Sequence, residues 1–173
     1  MERRQRLAIL YRLIQLLGDT GKIRLGKIRL QKLIYFLQEA KRVPLGYSFR
    51  LHHYGPYSVD LEDDVAELTL KGYVKVTANP SGYGYDVEAE SEAPDGADVH
   101  VAQYMGVLRD LCDDFGKKER AALELMATIH FVNSILGPPG KGRLTQEVKL
   151  LKPQFTQDYI ERMAQEMDEN GLL

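Results

Sequence analysis

Residues 52–64 read HHYGPYSVDLEDD and place two histidines and two tyrosines directly before a run of carboxylates. Imidazole and carboxylate groups bind divalent metals and act as general acids and bases. His52 and His53 are adjacent, so on a strand their side chains point to opposite faces and cannot both bind one ion. No HExxH or CxxC spacing occurs in the chain. The stretch therefore predicts no metal site, no cofactor site and no catalytic residue.

A structural explanation accounts for the same residues. The alternation in 47–54 predicts a short strand, and the Gly-Pro pair at 55–56 is expected to break it. Ser58 is a suitable N-cap, because its hydroxyl can accept a hydrogen bond from the first turn of a helix. The carboxylates that follow would lie near the positive end of the helix dipole. The stretch then reads as a corner between a strand and a third helix that buries Leu61, Val65 and Leu68.

Other candidate chemistry is equally weak. Cys112 has Asp113 and Asp114 beside it, and these carboxylates would raise the pKa of the thiol rather than activate it. The loop GPPGKGR at 137–143 lacks the GxxxxGK[ST] pattern of a phosphate-binding loop. We therefore predict that the chain is not an enzyme.

Composition sets the class of protein. The chain has 173 residues, enough for one domain or two small ones. A single cysteine excludes an intramolecular disulfide and fits a reducing cytoplasm, which is the predicted location. No apolar run approaches the roughly 18 residues that a membrane span needs, so no membrane association is predicted.

Periodicity and turn residues predict mainly helices with one clear hairpin at 73–90 around an Asn-Pro-Ser-Gly turn. A polar linker at 91–98 separates a domain at 1–92 from a helical domain at 97–173. The expected helices lie near 7–17, 25–42, 58–71, 98–115, 117–136, 145–151 and 156–170.

Two helices end in the same way. The third helix ends at Gly72 and the last one at Gly171, and each glycine is followed by two apolar residues. This ending is common where the third helix of a winged-helix domain passes into its wing. The predicted fold class is α+β and mainly helical: a winged-helix-like N-terminal module with a β-hairpin wing, then a helical, helix-turn-helix-like C-terminal module.

Charge is unevenly distributed along the chain. Residues 1–50 contain 12 Lys or Arg and 3 Asp or Glu, whereas residues 51–114 contain 3 and 14. Two alternatives stay open: the two regions compensate each other, or they form charged surfaces for a partner. The candidate basic surface is the outward face of the second helix, with Arg24, Lys27, Arg29 and Lys32.

A winged helix usually reads DNA with its third helix. Here that helix holds five carboxylates against one lysine, so phosphate repulsion would oppose the usual docking. Nucleic acid binding through the basic N-terminal helices stays possible but is disfavoured.

Two segments carry a resemblance to a known family: LQKL at 30–33 and YGPYS at 54–58, each in the context of its helix or strand. With the acidic helix that follows and the C-terminal tail, they resemble the YwgA-like proteins. They are also similar, more distantly, to the Panacea-type domains of SocA-like, phage-associated antitoxins. The resemblance implies a winged-helix-like fold without established catalysis, and binding of a partner protein in the antitoxin members.

We therefore expect a non-enzymatic protein-interaction or regulatory module, antitoxin-like or linked to mobile-element defence. The alternative is a winged-helix transcriptional regulator that binds DNA through its basic N-terminal helices. A homodimer is also compatible with the charge distribution. The candidate partner-binding residues are Tyr54, Gly55, Pro56, Tyr57, Asp60, Asp63, Asp64 and Glu67.

Overall fold

Helices form most of the structure. A computed structural model describes residues 1–19, 24–80, 84–137 and 141–173. The elements are α1 (Arg3–Asp19), α2 (Lys27–Glu39), β1 (Arg50–His52), β2 (Gly55–Tyr57), α3 (Val59–Leu70), β3 (Val74–Ala78), β4 (Tyr85–Ala89), α4 (Ala97–Val101), a 3-10 turn (Ala102–Tyr104), α5 (Met105–Phe115), α6 (Arg120–Leu136), α7 (Lys141–Leu151) and α8 (Gln157–Glu169).

The first hairpin corrects one prediction. The strand predicted at 47–54 is observed only as β1 (Arg50–His52), and Gly55 and Pro56, which were expected to break it, form β2, which pairs antiparallel with β1. A two-residue turn at 53–54 joins the strands, and Gly55 adopts a φ of 88° that favours glycine. Pro56 is tolerated in β2 because both strands of a two-stranded sheet are edge strands.

The start and the end of α3 agree with the predictions. The Ser58 hydroxyl accepts a hydrogen bond from the Leu61 amide at 3.4 Å, and Asp60 and Glu62 lie in the first turn. The helix buries Leu61, Val65 and Leu68 as expected, and its C-terminal glycine, Gly72, has a φ of 75°.

The predicted hairpin at 73–90 is confirmed as β3 and β4, paired from Val74↔Ala89 to Ala78↔Tyr85. Residues 81–83 of its turn lie outside the described residues. In the predicted loop at 137–143, residues 138–140 also lie outside them, and α7 already begins at Lys141. The mainly helical α+β class is confirmed, while the winged-helix assignment stays a prediction.

Buried side chains from both predicted domains belong to one hydrophobic cluster. Phe36 of α2 stacks on Phe115 of α5 with ring centroids 4.3 Å apart. Leu33 and Leu61 from the N-terminal segment are as buried as Leu108 and Ile129 from the C-terminal one. The packing therefore joins the segments 1–92 and 97–173, and their division into two domains stays a prediction.

Ion pairs link the basic N-terminal segment to the acidic one. Arg3 and Arg6 contact the Asp64 carboxylate at 3.0 and 2.7 Å. Arg24 contacts Asp86 at 3.0 Å, and Lys27 lies 3.6 Å from Glu62. This geometry favours the alternative in which the two regions compensate each other.

Two of the four residues predicted on an outward basic face are buried. Arg29 is 8% exposed and Lys32 is 2% exposed. Arg29 donates a hydrogen bond to the Gly116 carbonyl at 3.1 Å, and Lys32 donates one to the Pro56 carbonyl at 2.5 Å. The prediction was wrong because these carbonyls, distant in sequence, accept hydrogen bonds that a helical wheel does not reveal.

The prediction that Asp64 lies on the surface is also wrong, because this residue is 1% exposed. Its carboxylate accepts hydrogen bonds from Arg3, from Arg6 and from the Tyr47 hydroxyl, the last at 2.9 Å. Burial, with Asp64 beside it, raises the pKa of Tyr47 above its ordinary value. Asp64 therefore fixes α3 on α1.

No helix among the described residues is both long and apolar enough to cross a membrane.

Replacing Asp64 with alanine is expected to lower the free energy of unfolding by about 3 kcal/mol, because Arg6 and the Tyr47 hydroxyl would lose a buried acceptor. The neighbouring Asp63→Ala variant is the control, with an expected change within about 0.5 kcal/mol because that residue is exposed. Urea unfolding of both variants measures the difference. Equal losses would contradict a structural role specific to Asp64.

Candidate functional site

The two segments that carry the family resemblance contact each other. Both polar atoms of the Gln31 side chain bind the backbone of Ser58: Nε2 donates to the carbonyl at 2.9 Å, and Oε1 accepts from the amide at 2.9 Å. Lys32, the next residue of α2, donates to the Pro56 carbonyl. The LQKL segment therefore holds the YGPYS segment by its backbone.

A second lysine holds the same hairpin from the C-terminal half. Lys152 lies directly after α7, and its Nζ donates to the His53 carbonyl at 2.5 Å. The same Nζ lies 2.5 Å from the Glu124 carboxylate on α6. We call Lys32, Lys152 and Glu124 the lysine clamp, because its two ammonium groups hold the carbonyls of His53 and Pro56, one before and one after Gly55 in the hairpin.

The lysine clamp contains more positive than negative charge. Two lysines, each 2% exposed, lie near a single carboxylate, that of Glu124, which forms an ion pair with Lys152 and acts on Lys32 only through its charge. Burial lowers the pKa of Lys32 to about 8; Glu124 opposes this shift, and Lys152 adds to it. The ammonium of Lys32 therefore stays charged at neutral pH only at a free-energy cost.

Gly55 lies where no side chain fits easily. A Cβ at this position would lie 3.0 Å from Thr128 Oγ1 and 3.4 Å from both the Glu124 carbonyl oxygen and Lys32 Cε. Any other residue here would be strained by the positive φ and would have to push Thr128 or Lys32 aside, so glycine favours the close approach of the hairpin to α6.

The two histidines of the hairpin do not converge. The ring of His53 packs edge-on against Tyr54, with centroids 4.9 Å apart, and the ring of His52 lies 5.1 Å from that of Tyr57. Within residues 1–19, 24–80, 84–137 and 141–173, no three His, Cys, Asp or Glu side chains cluster so that they could hold a metal ion.

Cys112 is half-buried on α5. Burial raises the pKa of its thiol to about 11, and Asp113 adds to this shift. The thiolate that a nucleophilic mechanism requires is therefore scarce at neutral pH.

A cavity of about 270 Å³ opens beside the lysine clamp, between α2, the first hairpin and α3. Its apolar walls include Ile28, Leu30, Leu61 and Val65, and Lys32 also lines it. Further polar lining residues are Lys27, Gln31, His52, Tyr54, Tyr57 and Glu62. We call this cavity the corner pocket.

The outer face of α3 carries a stripe that the fold leaves exposed. Val59, Asp63, Ala66 and Leu70 follow each other at helical spacing, and all four are exposed. Val59 is 63% exposed and Leu70 is 89% exposed. We call these four residues the outer stripe; Asp60 lies exposed beside it.

The predicted partner-binding residues therefore separate into three groups. Tyr54, Gly55 and Tyr57 line the corner pocket, although Gly55 and Pro56 are buried and present no exposed side chain. Asp60 and Asp63 face outward on α3. Glu67 is half-buried and pairs with Arg3 at 2.7 Å and Lys71 at 2.6 Å.

Sequence reasoning missed Glu124 and Lys152. Glu124 lies in the apolar run ALELMATIHFV, where a buried carboxylate is unusual, so this residue offered a signal. Lys152 precedes a proline and follows a leucine pair at the end of α7, and nothing in that context separates it from a surface lysine.

Comparison with known proteins supports the YwgA-like resemblance. The chain is 28% identical over 129 residues to the uncharacterized protein YwgA of Bacillus subtilis (strain 168), and the match covers 72% of this chain and 74% of the relative. No family model matches the chain. The more distant relationship to Panacea-type domains stays a prediction.

Replacing Gly55 with alanine is expected to destabilise the protein more than replacing Gly46 with alanine. Both glycines have a positive φ, of 88° and 84°, but a Cβ at Gly46 meets nothing within 4 Å. The positive φ alone should cost about 1–2 kcal/mol at either position. The contact with Thr128 should add at least about 1 kcal/mol at Gly55, as measured by urea unfolding. Equal losses would contradict the close packing of the hairpin on α6.

The lowered pKa of Lys32 should appear in the pH dependence of stability. Between its folded pKa of about 8 and the ordinary lysine pKa of 10.5, the unfolded chain binds the Lys32 proton more strongly than the folded chain. The contribution of Lys32 to the free energy of unfolding should therefore rise with pH across this window. The difference between the wild type and Lys32→Met isolates this contribution from other titrating groups. A difference that stays flat or falls would contradict the burial of a charged Lys32.

Proposed function

We propose that the chain is a non-enzymatic protein-interaction module that binds a partner protein on the outer stripe of α3. The observation that carries this proposal is the exposure of Val59 and Leu70 at the two ends of a stripe that has a carboxylate between them. Large apolar side chains on a protein surface are common singly, but two at helical spacing on one face favour a docking role.

The chemistry of the stripe favours a basic, amphipathic partner. Asp60 and Asp63 have no ion pair among the described residues, whereas Glu62, Asp64 and Glu67 all pair with lysine or arginine. From Val59 to Leu70 the stripe extends about 16 Å, roughly three helical turns. A partner helix with apolar residues at both ends and a lysine or arginine between them would complement it.

The distribution of charge among the described residues supports a protein partner better than it supports nucleic acid. Arg24 and Lys27 are engaged with Asp86 and Glu62, and Arg29 and Lys32 are buried. Few cations of the second helix are left to neutralise phosphates, while the exposed carboxylates of α3 would repel them. An antitoxin-like role, in which the partner is a toxin, is the narrower form of this proposal that the family resemblance suggests.

The non-enzymatic part rests on how the reactive groups are used. Lys32 and Lys152 donate hydrogen bonds to backbone carbonyls, and the pKa of Cys112 is raised. Both lysines hold the backbone of the first hairpin, and a raised pKa makes Cys112 a poor nucleophile, so we assign none of the three a catalytic role.

A photo-crosslinking amino acid at Ala66 tests the proposal in a lysate of the native host. We expect it to capture a partner protein, with the yield reduced at least tenfold by Asp60→Lys combined with Asp63→Lys, because the charge reversal repels a basic partner.

The matched control is Asp110→Lys combined with Asp113→Lys, which reverses an exposed carboxylate pair of the same spacing on α5. This control should leave the yield unchanged, and circular dichroism verifies that both double variants fold. Equal yields from both double variants would contradict the proposal. Capture of nucleic acid alone, of a second copy of the chain alone, or of nothing would also contradict it.

A further inference from the structure

The corner pocket has the features of a ligand site, and its chemistry is distinct from that of the outer stripe. Its walls are apolar at Ile28, Leu30, Leu61 and Val65, and the buried cation Lys32 lines it. Ligand pockets commonly combine apolar walls with a few fixed polar groups that orient the ligand.

The lysine clamp supplies an uncompensated positive charge next to this pocket. Glu124 pairs directly with Lys152 at 2.5 Å, so Lys32 has no carboxylate of its own. Among the described residues, the Pro56 carbonyl is the one acceptor recorded for the Lys32 ammonium, which has three protons to donate. An anion in the pocket would supply the missing partner.

The remaining charges of the pocket cancel each other. Glu62 is the acidic side chain among the lining residues, and it lies 3.6 Å from the Lys27 ammonium and accepts a hydrogen bond from the Tyr57 hydroxyl. Glu62 therefore has partners, and the lining residues, with Lys27, Lys32 and Glu62, carry a net positive charge.

The size of the pocket limits the ligand. About 270 Å³ lies just below the range of roughly 300–1,000 Å³ for sites that hold drug-sized molecules. A nucleotide cofactor exceeds this space, whereas one aromatic ring or a short alkyl chain with a single polar end suits it.

From these observations we propose that the corner pocket binds a small apolar carboxylic acid. Its hydrocarbon part lies against Ile28, Leu61 and Val65, and its carboxylate accepts a hydrogen bond from Lys32. This proposal goes beyond the docking role of α3 and does not depend on it.

Calorimetric titration of the full chain with phenylacetate and octanoate, each compared with its neutral amide, tests the charge requirement. A hydrogen bond between a buried ammonium and a carboxylate should make at least one acid bind about tenfold or more tightly than its amide. If each acid binds no better than its amide, or if neither acid binds, the proposal is overturned.

Variants test the location. Ile28→Trp fills the pocket without changing any charge, and it should abolish binding of the acid. Lys32→Met should weaken binding at least tenfold, whereas Lys75→Met, which removes an exposed lysine on β3, should leave it unchanged. If Lys32→Met fails to fold, Ile28→Trp and the comparison of each acid with its amide still test whether the corner pocket binds the acid. Undiminished binding by folded Ile28→Trp would overturn the proposal.

Discussion

Two buried ammonium groups, on Lys32 and Lys152, hold the backbone carbonyls of Pro56 and His53 in the first hairpin. Buried charges are tolerated where hydrogen bonds and an opposite charge compensate for lost hydration, and here Glu124 forms an ion pair with Lys152 while Lys32 donates to the Pro56 carbonyl. The two lysines belong to opposite halves of the chain, so the hairpin between them joins α2 to the C-terminal helices. The corner pocket lies against this arrangement, which makes the lysine clamp the constraint that shapes the candidate site.

The position of α3 follows from the same contacts. Gln31 fixes Ser58, Ser58 caps α3, and Asp64 anchors the helix on α1 through Arg3 and Arg6. Carboxylates that a sequence shows as one acidic run thus serve different roles. Asp64 stabilises the fold, Glu62 and Glu67 neutralise nearby cations, and Asp60 and Asp63 are left on the surface.

Local patterns were sufficient to predict the Ser58 cap, the buried face of α3 and the hairpin of β3 and β4, because periodicity and turn residues encode these features over a few positions. They did not predict that Gly55 and Pro56 lie in a strand, nor that Lys32 is buried. A lysine on a helix is ordinarily exposed, and its burial here depends on a carbonyl 24 positions away. The contact between Lys152 and His53 spans 99 positions, so no local pattern indicates it.

A double-mutant cycle on Lys152→Met and Glu124→Gln tests the central claim most directly, with the free energy of unfolding measured for the wild type, both single variants and the double variant. If the two residues form the buried pair of the lysine clamp, removing either leaves a buried charged group without its partner. The double variant should then lose less stability than the two single losses together, by about 1–3 kcal/mol. Additive losses within about 0.5 kcal/mol would contradict the account.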